Sequence, residues 1–111
     1  MRQAIAQVRL IIEQHGESRF QPVDDSTKPV LNQLGWRKGH GAEREWLIPS
    51  ETWKSEICGG LDPKFVARTL ADAGMLERAS DGNQQVRKIG GVNKRVFVIK
   101  AEVIDGGGNA S

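Results

Sequence analysis

The sequence predicts a single α+β domain, and three features of its 111 residues support this. An amphipathic helical pattern opens the chain, one pair of β-rich segments precedes two short helical segments, and a second pair follows them. The length suits one domain with its own core. Apolar residues make up 38% and charged residues 27%, which is somewhat polar for a globular domain but too apolar for a fully disordered chain.

Composition also excludes several classes of protein. No stretch approaches the roughly 18 to 20 apolar residues that cross a bilayer, and the N-terminal segment lacks the apolar region and cleavage site of a secretory signal. The single cysteine, Cys58, excludes an internal disulfide and a cysteine-rich zinc site. We therefore expect a soluble, cytoplasmic domain without a membrane partner.

The first predicted element is a helix from Arg2 to His15. Gly16 follows it, and we expect this glycine to end the helix in the left-handed conformation that glycine adopts easily. The apolar residues of the helix have the i, i+3, i+4, i+7 spacing of one buried face: Ala4, Ile5, Val8, Ile11 and Ile12.

A connector and a hairpin follow. Residues 17–33 contain turn-forming residues and two prolines, so we predict a connector held to the core by Phe20 and Val23, with a short helical turn near residues 30–33.

Residues 34–38 and 44–48 are rich in Trp, Leu and Ile and are separated by a five-residue loop, which is typical of a β-hairpin. We expect Trp36 and Trp46 to pair across it.

Two short helical segments come next. The first is predicted to begin at Pro49-Ser50-Glu51, with Trp53 and Ile57 on one buried face, and to end at the glycines after Cys58.

The second helix is predicted to begin at Asp62-Pro63, because aspartate caps a helix and proline suits its first position. Val66, Leu70 and Ala73 would form its buried face, and Gly74 would end it. Two short helices joined by a tight glycine turn are typical of a helix-turn-helix.

Two strands are predicted after this unit, at residues 84–89 and 94–100, joined by a glycine-rich turn at residues 90–93. A hairpin directly after a helix-turn-helix indicates a winged helix. We therefore predict a winged helix-turn-helix over residues 1–104, with an N-terminal helix and an additional tryptophan-containing hairpin. Residues 105–111 are glycine-rich and are predicted to be a disordered tail.

The motifs offer no catalytic chemistry. The chain lacks a phosphate-binding P-loop, a dinucleotide-binding glycine pattern and a nucleophilic triad. Asp24 and Asp25 lie in the connector and are interpreted as solvated turn residues. His15, His40 and Cys58 are not spaced as metal ligands. We predict a non-enzymatic domain without metal, cofactor or small-molecule substrate.

Charge is distributed unevenly along the chain. Residues 60–100 carry eight basic and four acidic side chains, whereas the remainder carries eight basic and ten acidic ones. Six basic side chains of the second helix and the wing could converge on one side of the molecule, where they would bind DNA phosphates. These predicted nucleic-acid-binding residues are Lys64, Arg68, Arg87, Lys88, Lys94 and Arg95.

Two alternatives stay open at this stage. The same six residues are also compatible with ordinary solvated charges on a soluble edge hairpin. On the second helix only Arg68 suits bidentate contact with a base, so binding would be salt-sensitive and weakly sequence-specific, to single- or double-stranded DNA. Trp36 and Trp46 either pack under the first helix or, if exposed, stack on single-stranded bases.

Several stretches of the chain resemble the C-terminal end of a large bacterial family, the DNA primase/helicase-like ATPases of plasmids, prophages and integrative conjugative elements. The resemblance extends from about residue 4 to residue 100. It is carried by Glu13-Gln-His-Gly-Glu-Ser-Arg-Phe20, Asn32-Gln-Leu-Gly-Trp-Arg37, Glu45-Trp-Leu-Ile-Pro49, Trp53-Lys-Ser-Glu-Ile-Cys-Gly-Gly-Leu-Asp-Pro63, Val66-Ala-Arg-Thr-Leu70, Gly74-Met-Leu76, Asp81-Gly82 and Lys94-Arg-Val-Phe-Val98.

This resemblance implies that the chain is the terminal domain of a longer protein and works beside a parent ATPase domain. It implies a role in DNA replication or transfer of a plasmid or conjugative element, as an accessory DNA-binding domain of a helicase or primase. A protein–protein interaction or subunit-assembly module of the same machinery, without DNA contact, is the alternative. The family's ATP-binding residues have no counterpart in these stretches.

Overall fold

The computed structural model describes residues 2–23, 30–79 and 82–104. Three helices and five strands form a mixed α+β fold, which confirms the α+β part of the prediction. Short 3-10 turns occupy Gly41–Glu43 and Ala101–Val103. In chain order the elements are α1 (Arg2–His15), β1 (Phe20–Pro22), β2 (Gly35–Lys38), β3 (Glu45–Pro49), α2 (Ser50–Thr52, continued by a π-helical turn at Trp53–Ile57), α3 (Pro63–Asp72), β4 (Gln85–Ile89) and β5 (Val92–Lys100).

The five strands form one sheet in the order β1-β2-β3-β5-β4. β1 is parallel to β2, whereas the pairs β2–β3, β3–β5 and β4–β5 are antiparallel. Sequence analysis missed β1, which lies in the predicted connector. The turn near residues 30–33 is not helical, and Asn32 there has a φ of 53°.

α1 has the predicted bounds, and Ala4, Val8 and Ile12 on it are buried. The expected left-handed conformation of Gly16 is wrong, because the positive-φ glycines begin at Gly39. Gly16 is instead a position where other parts of the protein lie too close to leave room for a side chain. A Cβ there would lie 2.4 Å from the carbonyl oxygen of Ile12, and Trp46 Nε1 donates a hydrogen bond to the Gly16 carbonyl at 3.1 Å.

The predicted hairpin of β2 and β3 is present, but its tryptophans do not pair. Trp36 lies opposite Leu47, and Trp46 lies opposite Arg37. Because directly opposed residues share a face and neighbours alternate, the two indole rings lie on opposite faces of the sheet. Trp46 is buried beside the end of α1, whereas Trp36 is partly exposed.

α2 and α3 pack on the same face of the sheet as α1. Trp53, in the π-helical turn, is fully buried and stacks on Phe97 of β5 with ring centroids 4.6 Å apart. Leu70 of α3 and Ile99 of β5 belong to the same apolar core. We call this the helix side of the sheet.

The opposite face, here called the back face, has a smaller apolar cluster. Its buried members are Leu47, Ile89, Val96 and Val98, and Trp36 of β2 packs against them. Among the described residues, no residue of a helix belongs to this cluster. Both faces of β3 and β5 are therefore apolar, although helices pack on only one of them.

The final hairpin, β4–β5, has a tighter turn than predicted. Ile89 pairs with Val92, so the turn contains only Gly90 and Gly91, with φ angles of 61° and 82°. Two successive positive φ angles are typical of a type I′ turn, which matches the twist of the strands. β5 consequently begins at Val92, two residues before its predicted start.

Two other predictions concern residues that the structure does not describe. Asp24, Asp25 and the tail at 105–111 lie outside the described residues. Within the described ranges, no helix has both the length and the apolar character needed to cross a bilayer.

Candidate nucleic-acid interface

α3 presents two basic side chains to solvent. Asp62 caps the helix by accepting a hydrogen bond from the backbone N–H of Lys64 at 3.1 Å, and Pro63 occupies the first turn, as predicted. Val66 and Leu70 face the core. Lys64 and Arg68, four residues apart, therefore lie together on the exposed face.

The strand register decides which basic residues of the β4–β5 hairpin lie on the same side of the sheet as Lys64 and Arg68. Arg95 is two residues from Phe97, whose ring is part of the helix-side core, so Arg95 also lies on the helix side. Val86 lies directly opposite Arg95, and Lys88 lies one step closer to the tip, opposite Asn93. Together these residues form one strip on the helix side of the β4–β5 hairpin, and the strip extends away from the helices. We call it the wing strip; its members are Val86, Lys88, Asn93 and Arg95.

A cavity of about 350 Å³ lies between α3 and the base of this strip. We call it the basic pocket. Its cationic walls are Lys64 and Arg68 on α3 and Arg95 on β5. The segment before β4 forms a third wall, and apolar side chains form the floor. The remaining lining residues are Ala67, Gly82, Asn83, Gln84 and Phe97.

The two arginines of the basic pocket differ from the other arginines whose side chains are described, because neither has a partner among the described residues. Eight arginine side chains are described, and six of them donate a hydrogen bond or form an ion pair: Arg9, Arg19, Arg37, Arg44, Arg78 and Arg87. In the described part of the chain, Arg68 and Arg95 have neither. Both line the basic pocket, and no carboxylate of the described residues forms an ion pair with either of them.

The expectation that all six basic residues converge is corrected by the strand register. Arg87 and Lys94 are opposite each other and lie on the back face. Arg87 forms an ion pair with Glu45 at 3.1 Å, and the ammonium of Lys94 lies 5.7 Å from the centroid of the Trp36 ring. The structure therefore brings together Lys64, Arg68, Lys88 and Arg95, and separates Arg87 and Lys94 from them.

Both tryptophans of the first hairpin, Trp36 and Trp46, pack against other parts of the protein. Trp46 is 5% exposed and bonded to Gly16, as expected for a residue packed under the first helix. Trp36 packs on the back-face cluster, with Lys94 above its ring. Because this cation covers part of the ring, Trp36 is a poorer stacking platform than its sequence context indicated.

Sequence reasoning missed three residues of this surface. Asn83 and Gln84 line the basic pocket, and Val86 is 59% exposed beside Arg95. Side chains alternate between the two faces along β5, so the sequence alone indicates that Lys94 and Arg95 lie on opposite faces of the sheet. No local signal connects Asn83 with α3, which lies more than ten residues earlier in the chain.

Other chemistry receives little support from the described residues. They contain no group of three or more His, Cys, Asp and Glu side chains that could hold a metal ion. Cys58 is buried under the helices, and this burial, with a smaller effect from the Asp62 carboxylate, raises the pKa of its thiol from 9.0 to about 11. A thiol with this pKa is a poor nucleophile at neutral pH.

Comparison with protein-family models and with curated protein sequences gave no match in either case.

Proposed function

We propose that this chain is a winged-helix domain that binds DNA phosphates through α3 and the helix side of the β4–β5 wing. The observation that carries the proposal is that Arg68 and Arg95, which have no partner among the described residues, line one pocket together with Lys64. Guanidinium and ammonium groups bind phosphate and release condensed counterions, so such a cluster favours a polyanion.

The topology supports the winged-helix interpretation. Leaving out β1 and β2, the order is helix, strand, helix, helix, strand, strand, formed by α1, β3, α2, α3, β4 and β5. β3 lies beside β5 in the sheet, so the first strand of this series pairs with the last. In this arrangement α3 takes the place of the recognition helix, which contacts DNA directly.

The proposed partner within the cell is a replication helicase or primase of a mobile element. This part rests on the resemblance of the chain to the primase/helicase-like ATPases. The domain would contribute contact with the DNA backbone, and the ATPase domain would contribute the chemistry.

A pair of charge reversals tests the DNA-binding surface. The variant Arg68→Glu/Arg95→Glu places acidic groups in the basic pocket, and we expect it to lose at least about tenfold in affinity for a fluorescein-labelled 20-nucleotide DNA, measured by anisotropy. The matched control is Lys38→Glu/Lys94→Glu, which changes the net charge equally but lies on the back face. We expect this control to remain within about twofold of wild type, since long-range charge effects are screened.

The salt dependence is a second readout. Four phosphate contacts, from Lys64, Arg68, Lys88 and Arg95, predict a log–log slope of about −3 to −4 for the wild-type chain. Equal losses in the two double variants would show a general charge effect and would overturn the assignment of this surface. Absence of DNA binding together with concentration-dependent self-association would favour the subunit-assembly alternative.

A further inference from the structure

The basic pocket has an apolar floor under its cationic walls. Ala67 and Phe97, which line its base, are 1% and 9% exposed. Phe97 is held in place from behind, because its ring stacks on Trp53. The indole of Trp53 is fixed in turn by a hydrogen bond from Nε1 to the carbonyl of Pro63 at 3.1 Å. The floor is therefore a rigid apolar surface.

The third wall adds amide groups. Gln84 donates from Nε2 to the hydroxyl of Ser50 at 2.6 Å, which orients its side chain. Asn83 has no hydrogen bond from its side chain within the described residues, so its amide can both donate to and accept from a ligand. The pocket consequently combines an apolar floor, an amide with both hydrogen-bonding functions, and three cations.

These three components match different parts of one nucleotide. A phosphate alone is satisfied by the cations and gains nothing from an apolar floor. A nucleobase has a flat apolar face and a polar edge, which suit the floor and the amide of Asn83. The adjacent phosphates would then lie beside Arg68 and Arg95. The volume of about 350 Å³ is within the range of small-molecule sites.

A base in a duplex cannot enter such a pocket, because its faces are stacked and its edge is paired. We infer that the basic pocket admits one unpaired nucleotide and that the domain therefore prefers single-stranded DNA to duplex DNA. This inference rests on the proposed function, since it names the substrate class of the same site. The exposed arginines explain binding to either form, whereas the pocket explains the preference.

The test compares a 20-nucleotide single strand with a blunt hairpin duplex that has the same number of phosphates, by anisotropy at fixed salt. Stacking of one base on a protein side chain contributes enough for at least about a fivefold preference, and we expect the wild-type chain to favour the single strand by this factor. Equal affinity for the two DNAs, with both bound, would overturn the inference while leaving the proposed function intact.

Two variants alter the pocket without changing its charge. Ala67→Leu fills the floor, and we expect it to reduce the single-strand preference to below about twofold while duplex affinity remains. Because Ala67 is buried and its replacement can impair folding, Asn83→Leu provides a second obstruction from the partly exposed wall. The matched control is Asn93→Leu, an amide on the same wing strip but outside the pocket.

The outcomes separate the two claims. Loss of the preference in Asn83→Leu, with retention in Asn93→Leu, supports the inference. An unchanged preference in Asn83→Leu and in any folded Ala67→Leu contradicts it, because the preference then arises elsewhere. If the wild-type chain binds neither DNA, the proposed function and the inference both fail.

Discussion

Lys94 and Arg95 are neighbours in β5 and lie on opposite faces of the sheet. Lys94 lies above Trp36 on the back face, in register with Arg87, which is paired with Glu45. Arg95 lines the basic pocket on the helix side and has no partner in the described residues. The same residue chemistry therefore covers apolar surface on one face and remains available to a ligand on the other.

The difference follows from what covers each face. On the helix side, three helices bury the core, so basic residues at its margin are not needed to shield apolar surface. In the described part of the back face no helix packs, and the aliphatic part of a lysine side chain can cover apolar surface while its ammonium stays in water. Side chains alternate between the two faces of the sheet along each strand. The face on which a basic residue of the β4–β5 hairpin lies therefore decides whether it covers apolar surface or remains available to a ligand.

The largest expected effect is on the helix-side core. Leu70→Ala removes a fully buried side chain from the face of α3 that packs on the core, and we expect a loss of about 2 to 5 kcal/mol in the free energy of unfolding, measured by chemical denaturation. Val92→Ala, at a side chain that is 55% exposed, is the control and should change this free energy by less than about 0.5 kcal/mol. A loss below about 1 kcal/mol for Leu70→Ala would mean that α3 packs through another face.

The next effect concerns pH. The Cys58 thiol is kept neutral by its burial among the helices, which raises its pKa from 9.0 to about 11. Because an unfolded chain ionises this thiol at lower pH, the contribution of Cys58 to stability is complete below pH 9 and is lost as pH rises towards about 11. We expect the unfolding free energy of wild type to fall more steeply than that of Cys58→Ala between pH 8.5 and 10.5. Parallel curves would show that the thiol is accessible to water.

A smaller effect is expected on the back face. Trp36→Ala removes a partly buried ring from the cluster of Leu47 and Val98, and we expect a loss of about 1 to 2 kcal/mol in unfolding free energy. The DNA affinity of the folded variant should remain within about twofold of wild type, measured by anisotropy. A larger loss of affinity without a loss of stability would assign Trp36 to the binding surface and would break the comparison between the two faces.

The smallest effect is expected for the ion pair of Arg87 and Glu45. Both side chains are about one quarter exposed, so solvent screens their attraction. A double-mutant cycle with Arg87→Met and Glu45→Gln should give a coupling energy of about 0.2 to 1 kcal/mol by chemical denaturation. A coupling near zero would indicate that Arg87 is not held by this pair and is free to act elsewhere.

Local patterns were sufficient for much of the fold. The apolar spacing of α1, the Asp62-Pro63 start of α3 and the glycine turn of the wing each depend on interactions within a few residues, so the sequence displays them directly. The three-residue strand β1 was missed, because it is a strand only through its parallel pairing with β2, about fifteen residues away.

Local patterns in the sequence predict some features of the candidate site and not others. Strand alternation alone separates Lys94 from Arg95, and helical spacing alone places Lys64 with Arg68. The apolar run at residues 96–99 of β5 gives no indication of which face the helices cover, since both faces of the strand are apolar. Which of Lys94 and Arg95 lies on the same side as α3 was therefore beyond prediction from this segment.

By itself, the sequence determined the order of the helices and of every strand except β1, and the basic character of the second half, because these depend on neighbouring residues and on composition. Only the tertiary structure decided that Arg68, Arg95, Asn83 and Phe97 line one cavity while Arg87 and Lys94 lie behind the sheet. The physical reason is that a cavity depends on which strand face is packed against the helices, and long-range packing and register select that face.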